Sequence, residues 1–452
     1  MSLPTAFAER MEAQLREEWP AFLNALASPA PVSIRFNPLK KANQPENFDK
    51  VKWESTGVYL PERPIFTLDP AFHAGAYYVQ EASSMFVGEA VRQLVPSGRF
   101  IRALDLCAAP GGKSTLLQSV LGANSLLLAN EVIRPRYQIL RENLTRWGAA
   151  NTYSSNLDSS AFGQLKGYFN LVLVDAPCSG EGLFRKDPAA IGEWSPDNVQ
   201  LCAGRQKRIL ADAAALLEPG GVLLYCTCTY NQKENEENAA WIAGQFGLEP
   251  ARLALQPDWN ILEREWGYQF YPHRVRGEGF YLSAFRRPEG TAFQMPRLKH
   301  KSLPGFAPLT RKAVDDLEPW IQDTGSLAFF VNDKGLISAI PKEQEEEAVF
   351  LGNALGRIHL GTEIGSFKNK DFVPAHALAL STLPAKSLQK MEVDRQTALL
   401  FLKRENINLT PPPTGWALIS YQGLNLGWVK GLANRVNNYL PKEWRIRMRI
   451  ES

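Results

Sequence analysis

The sequence predicts an α/β fold with a Rossmann-like sheet, and three observations predict it. From about residue 99, short apolar runs alternate with amphipathic stretches of helical period, the texture of strands separated by helices. The first run, around Ile101–Leu106, is broken by Pro110, Gly111 and Gly112, after which Leu116, Leu117, Val120 and Leu121 recur at helical spacing. Acids close successive runs at Asp105, Glu131, Asp158 and Asp175. A strand, a glycine turn and a helix start present outward backbone N–H groups at the positive end of a helix dipole.

The elements follow in order. Phe7, Met11, Leu15, Trp19, Phe22 and Leu26 recur at threes and fours, predicting one helix over 4–27. Ser33–Lys40 reads as a strand closed by a turn at Asn37-Pro38, and Gly75–Val91 as a helix beside the central sheet. In the core, strands are expected at 101–106, 125–131, 151–155, 171–175 and 222–226. The intervening helices include 113–121, one from Ile133 to Trp147, and one through Ile209 and Leu210 that ends at Pro219-Gly220-Gly221. Glu234, Glu236 and Glu237 suit the positive start of a further helix. Tyr268–Arg287 reads as a closing hairpin, and the proline-rich stretch 289–312 as a connector. Near the C-terminus, Trp444–Ile450 reads as a strand carrying Arg445, Arg447 and Arg449 on one face.

At 452 residues the chain is too long for one core. A hydrophobic fraction of 45% and a charged fraction of 21% are those of ordinary globular protein and exclude long disorder. The net charge of +3 points to no partner by itself, but residues 381–452 hold 11 Lys/Arg against 5 Asp/Glu, a local anion-binding bias. Five cysteines without a CxxC pair or a Cys/His cluster exclude a disulfide scaffold and structural zinc, and suit a reducing, cytoplasmic compartment. The N-terminus lacks the pattern of a signal peptide, and no apolar run reaches the roughly 18 residues of a membrane span.

Two ligand classes fit a strand–glycine turn–helix. Ala109–Ser114 looks like a P-loop, but that pattern needs a glycine where this chain has Cys107, and Pro110 removes an N–H from the phosphate cradle. The alternative is S-adenosylmethionine on the carboxyl ends of the strands. Glu131 stands where an acid can bond ribose hydroxyls, and Asp158 where an adenine amino group can donate. Acids suit a ligand with hydroxyls, an ammonium and a sulfonium better than one with phosphates.

Cys178, in Asp175-Ala-Pro-Cys-Ser-Gly180, and Cys228, in Cys226-Thr-Cys-Thr229, lie just past two buried strands. Most such cysteines are inert packing, but loop residues surround the first, and Thr227 and Thr229 flank the second with hydroxyls. Leu104–Thr115, Val174–Gly180 and Tyr225–Tyr230 together resemble the motifs of the Sun-family RNA (cytosine-5)-methyltransferases. The resemblance extends to Arg35–Lys40, Tyr77–Ser84, Pro272-His273 and Arg276–Tyr281. Leu426–Lys430 and Asn434–Arg445 resemble the tail of its RsmF branch, which modifies small-subunit ribosomal RNA.

That resemblance implies a Rossmann-like methyltransferase domain over 96–288, behind an α+β RNA-binding extension over 1–95. A connector and accessory region over 289–380 and a PUA-like, β-rich RNA-binding domain over 381–452 would follow. It implies a cytoplasmic enzyme, monomeric, acting on C5 of cytosine in 16S rRNA, with no metal and no membrane. Cys228 would be the nucleophile, Cys178 would assist product release, Asp175 would act at the ring N3, and Lys113 would face the substrate. Cys107, Ala108, Ala109, Pro110, Gly111, Gly112, Lys113, Glu131, Asp158 and Asp175 would hold S-adenosylmethionine. DNA cytosine-5 enzymes attack from a Pro-Cys box like Pro177-Cys178, so the residues alone leave the order of the thiols open. A tRNA or DNA methyltransferase and a non-catalytic ribosome assembly factor are the alternatives. Cys226 stands where the family usually has Ser, and packing accounts for it.

Overall fold

The computed structural model describes residues 3–40, 47–291, 293–296, 302–433 and 435–449. The single helix expected over 4–27 is two, α1 (Thr5–Leu15) and α2 (Trp19–Ala27), separated by a 3-10 turn at Arg16–Glu18. Arg16 takes a positive φ of 50°, and Pro20 occupies the first turn of α2, where its missing N–H is no loss. The break lets Phe7, Met11, Leu15, Phe22 and Leu26 all bury against Phe184, Trp194, Tyr230 and Tyr271. Next come β1 (Val32–Phe36), β2 (Lys50–Val51), β3 (Glu54–Leu60), α3 (Pro70–His73) and β4 (Tyr77–Val79), an antiparallel sheet in the order β2-β3-β1-β4. Tyr77–Val79, expected within a helix, is therefore a strand. The helix α4 (Phe86–Leu94) begins only after it.

The central sheet is built from β5 (Ile101–Asp105), α5 (Gly112–Leu121), β6 (Ser125–Asn130), α6 (Arg134–Trp147), β7 (Thr152–Ser155) and β8 (Phe169–Asp175). It continues through α7 (Pro188–Glu193), α8 (Pro196–Leu216), β9 (Leu217–Thr227), α9 (Glu236–Phe246), β10 (Glu249–Pro250), β11 (Leu262–Arg264), β12 (Gly267–Phe270) and β13 (Phe280–Arg286). Its order is β11-β12-β13-β9-β8-β5-β6-β7, with β10 paired to β13, and β9, β8, β5, β6 and β7 all parallel. Leu126–Ala129 and Leu171–Val174 are wholly buried, because strands covered by helices on both faces need apolar residues at every position. The chain reverses direction across the sheet between β5 and β8, which opens a crevice at their carboxyl ends.

The stretch read as connector and accessory region folds into a sheet of its own. β14 (Phe306–Pro308), α10 (Arg311–Asp315), β15 (Leu327–Asn332), β16 (Ile337–Pro341), α11 (Glu345–Leu355), β17 (Thr362–Lys368) and β18 (Asp371–Pro374) give five antiparallel strands in sequence order. Helix α11 packs onto the central sheet, where Glu347 bonds the Tyr168 hydroxyl and pairs with Arg102 at 2.8 Å. The last unit holds α12 (His376–Leu380), β19 (Lys390–Glu392), α13 (Arg395–Lys403), β20 (Gly415–Tyr421), β21 (Leu424–Leu432) and β22 (Arg435–Asn438). Its Phe401, Leu402, Ile419 and Val429 share one core with Ile34, Phe36 and Tyr77 of the N-terminal sheet, so the two ends of the chain pack together.

The strand expected at Trp444–Ile450 does not form. After a 3-10 turn at Lys442–Trp444 the chain runs on without strand partners through Arg449, and β22 stays the edge strand of its sheet. Ile446 is buried and its N–H donates to Leu402 O of α13 at 3.0 Å, while Arg445, Arg447 and Arg449 are exposed. Asn434 and Ile450 lie outside the described residues. No described helix is long and apolar enough to cross a membrane.

The seam between the two ends makes a pH-dependent contribution to stability. Burial pushes His73 down to about 4 and His376 to about 3, with Arg146 opposing both protons, Lys40 also opposing that on His376, and Asp69 favouring that on His73. Both rings are neutral in the fold, whereas in the unfolded chain they bind protons near pH 6.5. Their contribution is present above pH 6.5 and is lost as pH falls toward 4. The thermal midpoint should drop from pH 7.5 to pH 5, and His376→Asn should flatten that drop. An equally steep drop in the variant contradicts this.

Candidate active site

Strands β8 and β9 are parallel neighbours with Asp175 opposite Cys226, so the loops that follow them leave the sheet side by side. This brings Cys178 Sγ within 3.0 Å of Cys228 Sγ, although the residues are 50 apart in sequence. The Cys228 N–H points at Cys178 Sγ across 3.4 Å. The hydrogen bond to Cys228, together with burial, pushes the Cys178 thiol well above its ordinary range. Either sulfur can donate to the other across this contact.

Buried carboxylates fix these loops. Glu234 accepts from the Ser179 N–H at 2.8 Å, the Ser179 hydroxyl at 2.5 Å and Gln206 Nε2 at 3.0 Å. It stands in the turn before α9 rather than at the helix start, so its role is the cysteine loop. Glu181, with no exposed surface, pairs with Arg10 at 2.7 Å and accepts from Trp194 Nε1 and the Tyr230 N–H at 3.0 and 3.1 Å. Between the loops, the Gly182 N–H donates to Cys228 O at 2.8 Å, and a Cβ at Gly182 would sit 2.7 Å from that oxygen, so only glycine fits. Thr227 and Thr229 do not serve the thiol: the first donates to Asn235 Oδ1 at 2.5 Å and the second meets Ser179 Oγ at 3.1 Å.

A cavity of about 680 Å³ opens at the crevice. Cys107, Ala109, Pro110, Lys113, Glu131, Asp158, Asp175, Cys178 and Cys228 all line it. Ala108, Gly111 and Gly112 stand behind that wall. The Ala108 N–H bonds Asn130 O at 2.8 Å, while Gly111 faces Leu140 and Gly112 faces Tyr78. Asp105, grouped with the strand-end acids, points inward instead. It is fully buried under Ser114 Oγ at 2.7 Å, and burial pushes it up to about 7. Cys226 is likewise enclosed, in the core of the sheet.

The lining acids are partly engaged. Asp175 pairs with Lys113 at 2.7 Å; burial pulls Lys113 down, but the Asp175 carboxylate together with the Cys226 and Cys228 sulfurs holds the ammonium above its ordinary value. Glu131 accepts from the Ile133 N–H at 2.8 Å and lies 3.4 Å from Arg136. Asp158 pairs with Arg208 at 3.0 Å and accepts from the Ser160 N–H at 3.1 Å. Beside Glu131, Val132 and Ile133 line the cavity with half of their surface exposed, an apolar face next to an acid. Among the described residues, no group of three or more His, Cys, Asp or Glu is placed to hold a metal ion.

Sequence reading missed Arg10, Glu181, Gln206 and the Arg185–Glu278 pair, 2.9 Å apart, because each acts across more than a dozen residues with no local spacing to betray it. Glu181 alone had a signal, an acid one residue past Gly180 in the cysteine box.

Five parallel strands in this order, with acids and two thiols at the switch point, define a Rossmann-like methyltransferase core. Family models agree segment by segment. The 16S rRNA methyltransferase RsmB/F model matches residues 95–286, the RsmF N-terminal domain 3–82, and the RsmF PUA domain 388–446. Ribosomal RNA small subunit methyltransferase F of Aliivibrio fischeri is 30% identical, over 98% of this chain and 97% of that protein. That of Shewanella loihica is 30% identical over 93% and 90%. Among solved structures, a methyltransferase homolog from Pyrococcus horikoshii is 29% identical with a TM-score of 0.52, covering 60% of this chain and 91% of its own. NSun6 from the same organism, 20% identical with a TM-score of 0.54 over 64% and 99%, shares the fold. The chain belongs to the RsmB/F family of 16S rRNA methyltransferases and is an RNA methyltransferase.

The Arg10–Glu181 pair yields a direct test. Arg10→Ala leaves Glu181 buried without its cation and should cost about 2 kcal/mol in urea unfolding, between the roughly 3–5 kcal/mol of a fully buried pair and the ~1 kcal/mol of an exposed one, because Arg10 is partly exposed. A loss below about 0.5 kcal/mol contradicts the clamp.

Proposed function

We propose that this protein transfers a methyl group from S-adenosylmethionine to C5 of a cytosine in 16S rRNA through a covalent bond between Cys228 Sγ and C6 of the base. The observation that carries the reading is the 3.0 Å approach of Cys178 Sγ and Cys228 Sγ at the wall of one cavity with Asp175 and Lys113. The residues present suit the cofactor. Carboxylates at Glu131 and Asp158 can meet hydroxyl and amino donors, Val132 and Ile133 offer an apolar face to a purine, and about 680 Å³ is the size of a small-molecule site. Bound there, S-adenosylmethionine supplies an electrophilic methyl on a sulfonium.

Cytosine C5 is a poor nucleophile until C6 is attacked. Cys228, in contact with Cys178, gives up its thiol proton to solvent and adds as thiolate to C6. The electron pair displaced from the C5–C6 bond is taken up as a proton reaches N3 from the Lys113–Asp175 pair, and the adduct is then an enamine. C5 of the enamine takes the methyl group. A base removes the C5 proton, the C6–S bond breaks, N3 returns its proton to the Lys113–Asp175 pair, and the ring regains its aromaticity. Cys178, as thiol, donates a hydrogen bond to the departing Cys228 thiolate. The target base must leave its stack to reach this cavity, so unpaired RNA is the substrate form. On this reading the chain works as a cytoplasmic monomer. Residues 1–95 and 381–452 hold the RNA, 96–288 perform the transfer, and 289–380 brace the two.

Labelled methyl transfer to small ribosomal subunits, naked rRNA, tRNA and DNA tests it. Label is expected at cytosine C5 in 16S rRNA; no labelled cytosine in any RNA overturns it. Cys228→Ala should abolish transfer, and Cys178→Ala should leave an RNA–protein adduct that survives denaturing electrophoresis. An adduct present in Cys228→Ala and absent in Cys178→Ala reverses the roles.

A further inference from the structure

The matched family segments leave residues 287–387 between them, and this part of the chain builds one side of a second cavity. An open groove of about 720 Å³ lies at the seam between the five-stranded sheet and the C-terminal sheet, and none of its lining residues belongs to the cavity with the cysteines. Trp320 and Trp416, both half-buried, face it from the two sides with ring centroids 6.5 Å apart. Trp428 lies beneath them, fully buried, 5.9 Å from Trp320 and with its Nε1 donating to Ala375 O at 2.9 Å. The two outer rings are thus set on a rigid floor. Phe367 forms a wall, packed 5.3 Å from Phe372.

Three lysines from three elements border these rings: Lys312 on α10, Lys370 in the β17–β18 turn, and Lys430 on β21, whose Nζ lies 5.4 Å from the Trp416 ring centre. Among the described residues none of the three is in an ion pair. Asp316 and Asp371 also line the groove and are likewise outside any described ion pair. A protein partner is disfavoured, since lysine and aspartate are depleted where protein interfaces bury their aromatics. Aromatic faces bordered by lysines are instead the pattern that takes unpaired nucleic acid, bases on the rings and phosphates on the ammonium groups.

We propose that this groove is a second RNA-binding site, which takes an unpaired stretch of the RNA outside the target base. A base stacks on Trp416 or on Trp320, whose planes meet at 75°, Lys312, Lys370 and Lys430 neutralise flanking phosphates, and Asp371 or Asp316 accepts from an amino-bearing base edge. The identity of the occupant rests on the RNA-methyltransferase reading; the groove's chemistry does not involve the methyl-transfer site. It gives the stretch between the matched segments a role in holding substrate.

The test uses the full-length protein and fluorescence anisotropy with a labelled 12-nucleotide single-stranded RNA, the same sequence as duplex, and heparin. Lys312→Glu/Lys370→Glu alters exposed side chains and should weaken single-strand binding about tenfold. Trp416→Phe keeps the packing and should weaken it about threefold while changing heparin binding little. RNA carrying 4-thiouridine should cross-link to peptides containing Trp320, Phe367 or Trp416. Unchanged single-strand affinity in both variants overturns the site, as do cross-links confined to other peptides. An equal loss for heparin in Trp416→Phe reduces the groove to an anion patch and overturns the stacking. Groove-dependent binding without methyl transfer to any RNA leaves the site standing and removes the catalytic reading. Methyl transfer with groove variants binding like wild type does the reverse.

Discussion

The register of β8 against β9 is the constraint on which the site depends. Val174 opposite Tyr225 and Asp175 opposite Cys226 set where each loop leaves the sheet. A slip of one residue would move one loop by about 3.3 Å and turn its side chains to the other face, and two sulfurs now 3.0 Å apart would lose each other. Continuous apolar strands hold that register from both faces, so the chemistry at the sheet's end is underwritten by its core.

Beyond the strands, buried carboxylates tie the loops. Glu234 fastens the Cys178 loop to α8 through Gln206, and Glu181 binds the same loop to Tyr230 and to Arg10 of the first helix. The N-terminal sheet grips α5 in a similar way. Arg35, without exposed surface, donates to Thr115 Oγ1 at 2.6 Å and Gln80 Oε1 at 2.9 Å and stacks over Trp147 at 4.5 Å. Asn37 donates to Trp147 O at 3.0 Å where α6 ends. The N-terminal extension is thus part of the scaffold of the site, and the C-terminal sheet packs onto it in turn.

How much of this the sequence disclosed follows from where each signal was local. Strands buried on both faces write themselves as unbroken apolar runs, so the central sheet and its strand ends were legible. The two cysteine boxes were legible because each is a short motif at a strand end. The inward turn of Asp105 was not, since it hangs on a hydrogen bond from Ser114 in the next helix. Glu234 passed for a helix-start acid because its partners, Ser179 and Gln206, are 55 and 28 residues away. The five-stranded sheet hid among short strands, several only partly buried. The arginines at 445, 447 and 449 alternate like a strand, but no unpaired sheet edge receives them.

The account turns on which sulfur attacks. RNA containing 5-fluorocytidine at the target position cannot lose a proton from C5, so the methylated adduct should stay on the enzyme. Digestion and mass spectrometry of the trapped complex then identify the attached residue. The account predicts the nucleotide on the peptide containing Cys228, with Cys178 free. Attachment at Cys178, or a modified base released with no adduct on either cysteine, would contradict it.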